Sequence, residues 1–358
     1  MKDLTIILLI KDRPKFFERW VDYVLIKRPN CKIIISDGGK KKASIKALSK
    51  LSSAQIKYQY KRFVYDKNYD LFNKKIFQSL KICKTKYAVL CADDDFFICS
   101  ALINAVDFLN RNKKYICYGS SIITFGASNK HDLIKSAPTN FNVMYKNYKK
   151  NCTSQLPDKR VFFFLENPVF VIFHYVFRRQ VLLSIYRQVL KSKLIIPNIV
   201  DLYSNTLAYS SGLIKTGSEV MRMKQYHSSS DAKSRDVNVT LSDKKFLKEI
   251  KNYIKRVTSS IGFKRVRDIY FFKINLKKKL NNYFFSGSIA YSQKEKNFQK
   301  YYWIIFIKNL ILNKTINKFY YYFKKKYVIK NFTNLVDNMK NKKSKKEINL
   351  IFKYFEKN

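Results

Sequence analysis

Residues Lys86 to Phe97 read KYAVLCADDDFF: a run of apolar residues, Tyr87 to Cys91, stops at three consecutive aspartates, Asp93, Asp94 and Asp95. A short continuous apolar run of this kind is a strand buried on both faces, as parallel sheets use. Adjoining carboxylates repel one another and resist burial, so the triplet marks the strand's end. The same pattern occurs twice upstream. Leu4 to Ile10 is apolar but for Thr5 and gives way to Lys11-Asp12-Arg13, and Cys31 to Ser36 ends at the turn signal Asp37-Gly38-Gly39. Between these runs the spacing is helical. Pro14 opens a helix over Lys15 to Leu25 with Phe16, Phe17, Trp20, Val21 and Val24 on one face. Ala43 to Leu51 and Leu71 to Cys83 are also helical, and Ile56 to Tyr60 alternates as a strand. Downstream, Ala101 to Leu109 predicts a helix and Tyr115 to Tyr118 a strand. Strands alternating with helices define an α/β fold, a mainly parallel sheet flanked by helices. Such sheets bind ligands outside the carboxyl ends of their strands. Here those ends carry Lys11 to Arg13, Asp37 and Asp93 to Asp95.

The chain has 358 residues and a formal net charge of +47, from 72 Lys+Arg against 25 Asp+Glu. Its 46% hydrophobic and 16% aromatic content excludes intrinsic disorder, and 8 Gly with 6 Pro exclude collagen-like material. The six cysteines form no CxxC pair and sit mostly in apolar runs, as thiols of a reduced, cytoplasmic chain do. Met1 to Ile10 is too short and too charged for a signal peptide. Val161 to Leu183 is broken by Glu166, Asn167, Pro168, His174, Arg178 and Arg179, so it does not reach the roughly 20 apolar residues of a membrane span. The middle region predicts helices over Arg178 to Lys191 and Ile199 to Ser211, an extended Leu213 to Met221, and a loop at Ser228 to Asp231. Past residue 245 the composition shifts. Residues 251 to 358 hold 27 Lys/Arg against 5 Asp/Glu, with no proline and clusters such as Tyr320 to Phe323 before Lys324 to Lys326. This reads as a helical, basic, aromatic-rich C-terminal region. Tyr301 to Leu312 (YYWIIFIKNLIL) has the composition of an interfacial segment. The expected division is 1–240, with halves 1–120 and 121–240, followed by 241–358.

The plain account of the triplet is a solvated loop, or an Asp95 that caps the next helix. At the end of a parallel strand it also suits a hard divalent cation, Mg²⁺ or Mn²⁺, held by carboxylate oxygens and a phosphate. The ordered set Leu4-Thr5-Ile6-Ile7 leading to Lys11-Asp12-Arg13-Pro14, then Ile34-Ile35-Ser36-Asp37-Gly38, then Lys86 to Phe97, resembles GT-A glycosyltransferases of the family-2-like kind over about residues 1–230. The resemblance implies a Rossmann-like GT-A fold with a nucleotide-sugar donor on the first half and an acceptor on the second. It implies that Asp37 contacts the nucleobase or ribose, that Asp93 lies beside the nucleotide and shares the cation, and that Asp95 binds the cation on the diphosphate. Asp94 shares either role. Lys11, Asp12 and Arg13 stand where the family's first donor loop stands, although the commoner Pro-x-Tyr-Asn form is absent. Arg222 is implied as a phosphate contact, with an exposed strand cation as the plainer reading. His227 is implied at the diphosphate or the metal, with a surface histidine as its plainer reading.

Inverting members need a carboxylate to deprotonate the acceptor hydroxyl. Asp201, near the start of the Ile199 helix, is the candidate, and a helix-start carboxylate favoured by the dipole is its alternative. His174 and Arg178 lie in an aromatic setting that suits an acceptor sugar, or equally a core strand running into a cationic helix start. Asn73, Lys74 and Lys75 suit phosphate, or more simply a solvated helix face.

Two other classes compete. A nucleic-acid-binding protein is favoured by the charge, but it gains nothing from three carboxylates at a strand end, which repel phosphate unless a metal intervenes. A sugar nucleotidyltransferase usually has a glycine-rich loop, and Ile10 to Pro14 contains no glycine. No P-loop or Gly-x-Ser-x-Gly occurs. The expectation is therefore a metal-dependent, inverting glycosyltransferase of cell-surface polysaccharide synthesis. It would act on a glycan or lipid-linked acceptor from the cytoplasm, and the C-terminal region would either pack on the catalytic domain, with Lys stems covering apolar surface, or lie on the anionic inner face of the membrane.

Overall fold

The computed structural model describes residues 1–127, 138–144, 151–226, 244–263, 265–280, 282–283 and 342–357. Strand β1 (Leu4–Ile10) is buried at every position. Ile7 and Leu9 face one apolar layer, while Leu4, Ile6, Leu8 and Ile10 face the other. That two-sided burial is the cause of its almost wholly apolar sequence, and the one exception, Thr5, is hydrogen-bonded to the Thr85 hydroxyl at 2.6 Å. It lies between β2 (Lys32–Asp37) and β4 (Tyr87–Ala92), parallel to both, and β3 (Tyr58–Arg62) extends the parallel block beyond β2. Helices α1 (Pro14–Lys27), α2 (Ile45–Ser53) and α3 (Tyr69–Ile82) make the crossovers. Asn68 and Ser44 cap α3 and α2 by accepting the Leu71 and Ala47 N–H groups.

The second half is mixed. β5 (Asp95–Phe97), α4 (Cys99–Arg111), β6 (Tyr115–Ala127), β7 (Pro138–Met144), α5 (Pro157–Glu166), β8 (Val176–Arg178), α6 (Arg179–Ser192), α7 (Pro197–Ser211) and β9 (Leu213–Tyr226) follow in order. The sheet runs β3-β2-β1-β4-β8-β6-β9-β5, with β7 paired to β6. β6 and β9 are parallel, whereas β8 is antiparallel to β4 and β6, and β5 is antiparallel to β9. The α/β architecture with helices on both faces is as expected. The three-residue strands β5 and β8 are too short to show periodicity, and long-range pairing alone creates them.

Described helices of the C-terminal region pack on this body, among them residues 266–280, which bury Phe272, Leu276 and Leu280 in the layer of Ile7 and Leu9. Lys244–Ile261 buries Phe246, Tyr253, Ile254 and Val257 in one apolar layer, and its Glu249 accepts the Ile195 and Ile196 N–H groups at the start of α7. The helix Lys342–Lys357 buries Ile348 and Ile351 in the other layer. Its Glu347 carboxylate accepts the Cys99 and Ser100 N–H groups at 2.7 and 3.0 Å, capping α4. Asp95 does not cap that helix, because it belongs to β5. Glu347 takes the place across 248 residues of sequence. Tyr301 to Leu312 lies outside the described residues. Among the described residues no helix is long and apolar enough to cross a membrane.

Candidate active site at the strand ends

The turn after β1 is set by Asp12. Its backbone is left-handed (φ 51°), and its Oδ1 accepts the Lys40 N–H at 2.6 Å. This geometry lets Pro14 begin α1 and directs Arg13 across to the end of β4. The Arg13 guanidinium donates to Asp94 Oδ2 at 2.9 Å and to Asp93 Oδ1, bridging two members of the triplet. Asp95 begins β5, where antiparallel pairing brings β9 alongside, with Phe97 opposite Arg222. Arg222 donates to Asp95 Oδ2 at 3.0 Å and to the Leu90 carbonyl, and lies 4.2 Å from the Phe97 ring centroid.

Contrary to the expectation from charge repulsion, all three aspartates are buried, at 0, 7 and 3% exposure. Arginines make this tolerable. Arg222 is itself only 1% exposed, so it is not an exposed strand cation. Burial still dominates the electrostatics: it pushes the Asp93 carboxyl up to about 7 and Asp95 up to about 6, against the pull of Arg13 and Arg222.

One oxygen of each outer carboxylate, Asp93 Oδ2 and Asp95 Oδ1, is buried without a hydrogen-bond partner. Orphaned buried oxygens of this kind are costly, and they are hard donors suited to Mg²⁺ or Mn²⁺. Among the described residues no set of three or more His, Cys, Asp and Glu side chains could hold a metal. The donor set therefore fits a cation that takes one or two carboxylates and completes its shell from phosphate and water, as Mg²⁺ does. His227 lies outside the described residues.

Asp37 is committed within the protein. Oδ1 accepts the Gly39 N–H, and Oδ2 accepts from the Ala43 N–H, the Tyr60 hydroxyl and Arg62. Arg62 also donates to the Gly39, Lys40 and Lys41 carbonyls. Asp37 thus anchors the loop after β2, and at 1% exposure it offers a ligand no open face. Lys11 donates to the Asp66 carbonyl at 2.7 Å and lies over the Tyr65 ring.

Lys75 corrects the solvated-face reading of α3. It is 1% exposed, ion-paired to the buried Asp66, and donates to the Ile10 carbonyl. Asn73 is likewise buried and donates to the Tyr69 carbonyl, while Lys74 is exposed. Gly38 faces this pair, and a Cβ there would land on the Asp66 carboxylate. Because Lys75 holds Asp66 in place, Gly38→Ala is expected to cost about 1–3 kcal/mol in urea unfolding. A neutral outcome would show that Asp66 is free to move.

Asp201 accepts a hydrogen bond from the Tyr69 hydroxyl. Tyr69 stacks on Phe72, and Phe72 on Phe173, with centroids 5.5 and 6.2 Å apart. The next residue, His174, closes the path to the triplet. Its Nδ1 lies 3.2 Å from Arg222, and since an arginine only donates, Nδ1 accepts. Burial first, then Arg222 and Lys224, hold His174 well below its usual pKa, so it is neutral. Arg178 takes the plainer of its two readings: it donates to the Leu109, Asn112 and Tyr115 carbonyls at the end of α4. Asp66, Tyr69 and Arg62 carry no local sequence signal. Each is placed by a loop or helix packing on a distant strand end.

No family model matches the chain, and no curated protein does. Among solved structures it is similar to S. aureus TarS 1-349 in complex with UDP, at 10% identity over 73% of this chain and 65% of that one, TM-score 0.43. The complex of TarS 1-349 with UDP-GlcNAc gives 10% identity over 72% and 66%, TM-score 0.45. The mannosyltransferase PcManGT from Pyrobaculum calidifontis, in complex with GDP-Man and Mn²⁺, gives 10% identity over 73% and 72%, TM-score 0.37. The chain thus spans about two thirds of the TarS chains it resembles.

Proposed function

We propose that the chain is a metal-dependent, inverting glycosyltransferase of GT-A type that moves a sugar from a nucleotide-sugar donor to a glycan or lipid-linked acceptor in cell-surface polysaccharide synthesis. The observation that carries the reading is the meeting of Arg13 with Asp93 and Asp94, beside two partnerless carboxylate oxygens, at the carboxyl ends of parallel strands. The sequence resemblance sets the first donor loop and the triplet at one strand-end site, and a nucleic-acid binder gains nothing from three carboxylates there.

In this reading Asp93 and Asp95 hold the divalent cation and Asp94 shares the donor contact. When bound, the cation neutralises the diphosphate leaving group. Arg13 and Arg222 position the triplet and oppose the burial that favours its protonated form, and Lys11 and Asp12 shape the donor loop. Asp37 acts on the nucleoside through the loop it anchors. Asp201 takes the proton from the acceptor hydroxyl as its oxygen bonds to the anomeric carbon and the nucleoside diphosphate leaves, and Tyr69 orients that carboxylate. The division into 1–240, with donor half 1–120 and acceptor half 121–240, and a C-terminal region 241–358 on the inner membrane face belongs to the same proposal.

Thermal unfolding with UDP-GlcNAc, GDP-mannose and other nucleotide sugars, with and without Mn²⁺, tests it. A donor at 100 times its dissociation constant adds about 2.7 kcal/mol of stability. We expect that gain with one donor, only with the metal, and its loss in a folded Asp95→Asn variant. The reading fails if no donor stabilises the chain while single-stranded nucleic acid stabilises both proteins equally.

A further inference from the structure

At the opposite, amino ends of the parallel strands the protein has a concavity of about 560 Å³. Lys2 precedes β1, Lys32 opens β2, Lys84 and Lys86 precede β4, and Arg178 and Arg179 join β8 to α6. Six cations thus line one depression with a single carboxylate, Asp3. Among the described residues none of the six forms an ion pair. Their polar contacts leave the charge uncancelled: Lys86 donates to Asn110 Oδ1, and Arg178 and Arg179 donate to backbone carbonyls. Crowding extends past the rim, where Lys86 is the chief cause of a lowered pKa at the exposed Lys113.

Like charges gathered in a hollow repel one another, and a polyvalent anion relieves that repulsion most effectively. The strand-end site cannot account for the cluster. The seven residues of β1 separate the two ends by about 20 Å, more than twice the roughly 8 Å screening length of physiological salt. Drift towards lysine accounts for many surface cations in a chain of net charge +47, but not for six converging on one hollow with one acid.

We propose that this concavity is a binding site for a phosphate-bearing anion, separate from the strand-end site. Its chemistry is that of closely spaced phosphate or phosphodiester groups, whether in a soluble polyphosphate compound or in an anionic lipid headgroup.

Inorganic tripolyphosphate is the first probe, by calorimetric titration of the full chain. Lys84→Glu/Lys86→Glu is expected to weaken saturable binding at least about tenfold. Lys84→Arg/Lys86→Arg should retain it, which separates lost charge from lost folding. The control Lys273→Glu/Lys277→Glu makes the same charge change on an exposed helix face and should bind as wild type does. Equal weakening in the two glutamate variants, or no saturable binding by wild type, overturns the proposal and leaves only diffuse net charge. Sedimentation with phosphatidylcholine vesicles with and without phosphatidylglycerol then identifies the source. Loss of phosphatidylglycerol binding in Lys84→Glu/Lys86→Glu alone assigns a headgroup. Vesicle binding unchanged beside lost tripolyphosphate binding assigns a soluble anion.

Discussion

Arg222→Met is expected to lower unfolding free energy by about 3–5 kcal/mol, because it leaves the buried Asp95 carboxylate without its counter-charge. Methionine keeps much of the packing on Phe97 but none of the donors to Asp95, His174 and Leu90. The deficit should grow with pH. In the wild-type fold the Asp95 carboxyl is pushed up to about 6 from 3.8. Its contribution is therefore fully present below pH 3.8 and is lost as pH rises through 6. Removing the guanidinium raises the folded value further, so ionisation at pH 8 costs the variant more than it costs wild type. Near pH 4 the carboxyl is largely protonated in the fold, and only the packing and the other hydrogen bonds are missed. Urea unfolding of both proteins in EDTA at pH 4.5 and pH 8 measures this. An equal deficit at the two values would mean that Arg222 acts through packing alone.

That arginine also shows where sequence reasoning reaches and where it ends. Leu4–Ile10 and Tyr87–Ala92 were legible because two-sided burial favours apolar residues at nearly every position, and the polar residues after them mark strand ends wherever the chain later goes. Their meeting followed from parallel topology, since βαβ units bring carboxyl ends to one edge. The burial of the triplet did not follow, for its counter-ions are Arg13, 80 residues away, and Arg222, 127 residues away. Asp37 was visible as a strand-end carboxylate, yet its four donors come from a loop and from β3, so its commitment to the fold was hidden. The cap on α4 is the extreme case, since a local signal pointed to Asp95 and the acceptor is Glu347. Burial periodicity is written locally, whereas the pairing of buried charge is a property of the closed fold.

Lys75 poses the same question as Arg222 and is the sharper test, because both members of its ion pair can be replaced. Burial draws the Lys75 ammonium down and pushes the Asp66 carboxyl up, and in each the opposing charge restores only part of the shift. Desolvation therefore outweighs attraction in this pair, so the ion pair is a weak source of net stability. Breaking it from one side is a different matter. Lys75→Met should cost about 3–5 kcal/mol, since Asp66, 3% exposed and with Oδ1 already lacking a partner, would be left as an isolated buried anion. Asp66→Asn/Lys75→Met removes both charges, and all of that loss should return. The double variant would be as stable as wild type or more so, by up to about 4 kcal/mol. What it should not recover is the link from Lys75 to the Ile10 carbonyl, which ties α3 to the end of β1 beside Lys11 and Asp12. Denaturant midpoints of the wild type, both single variants and the double variant give the coupling energy directly. A double variant no better than Lys75→Met would show that the carbonyl contact, rather than the charge pair, is what the lysine supplies.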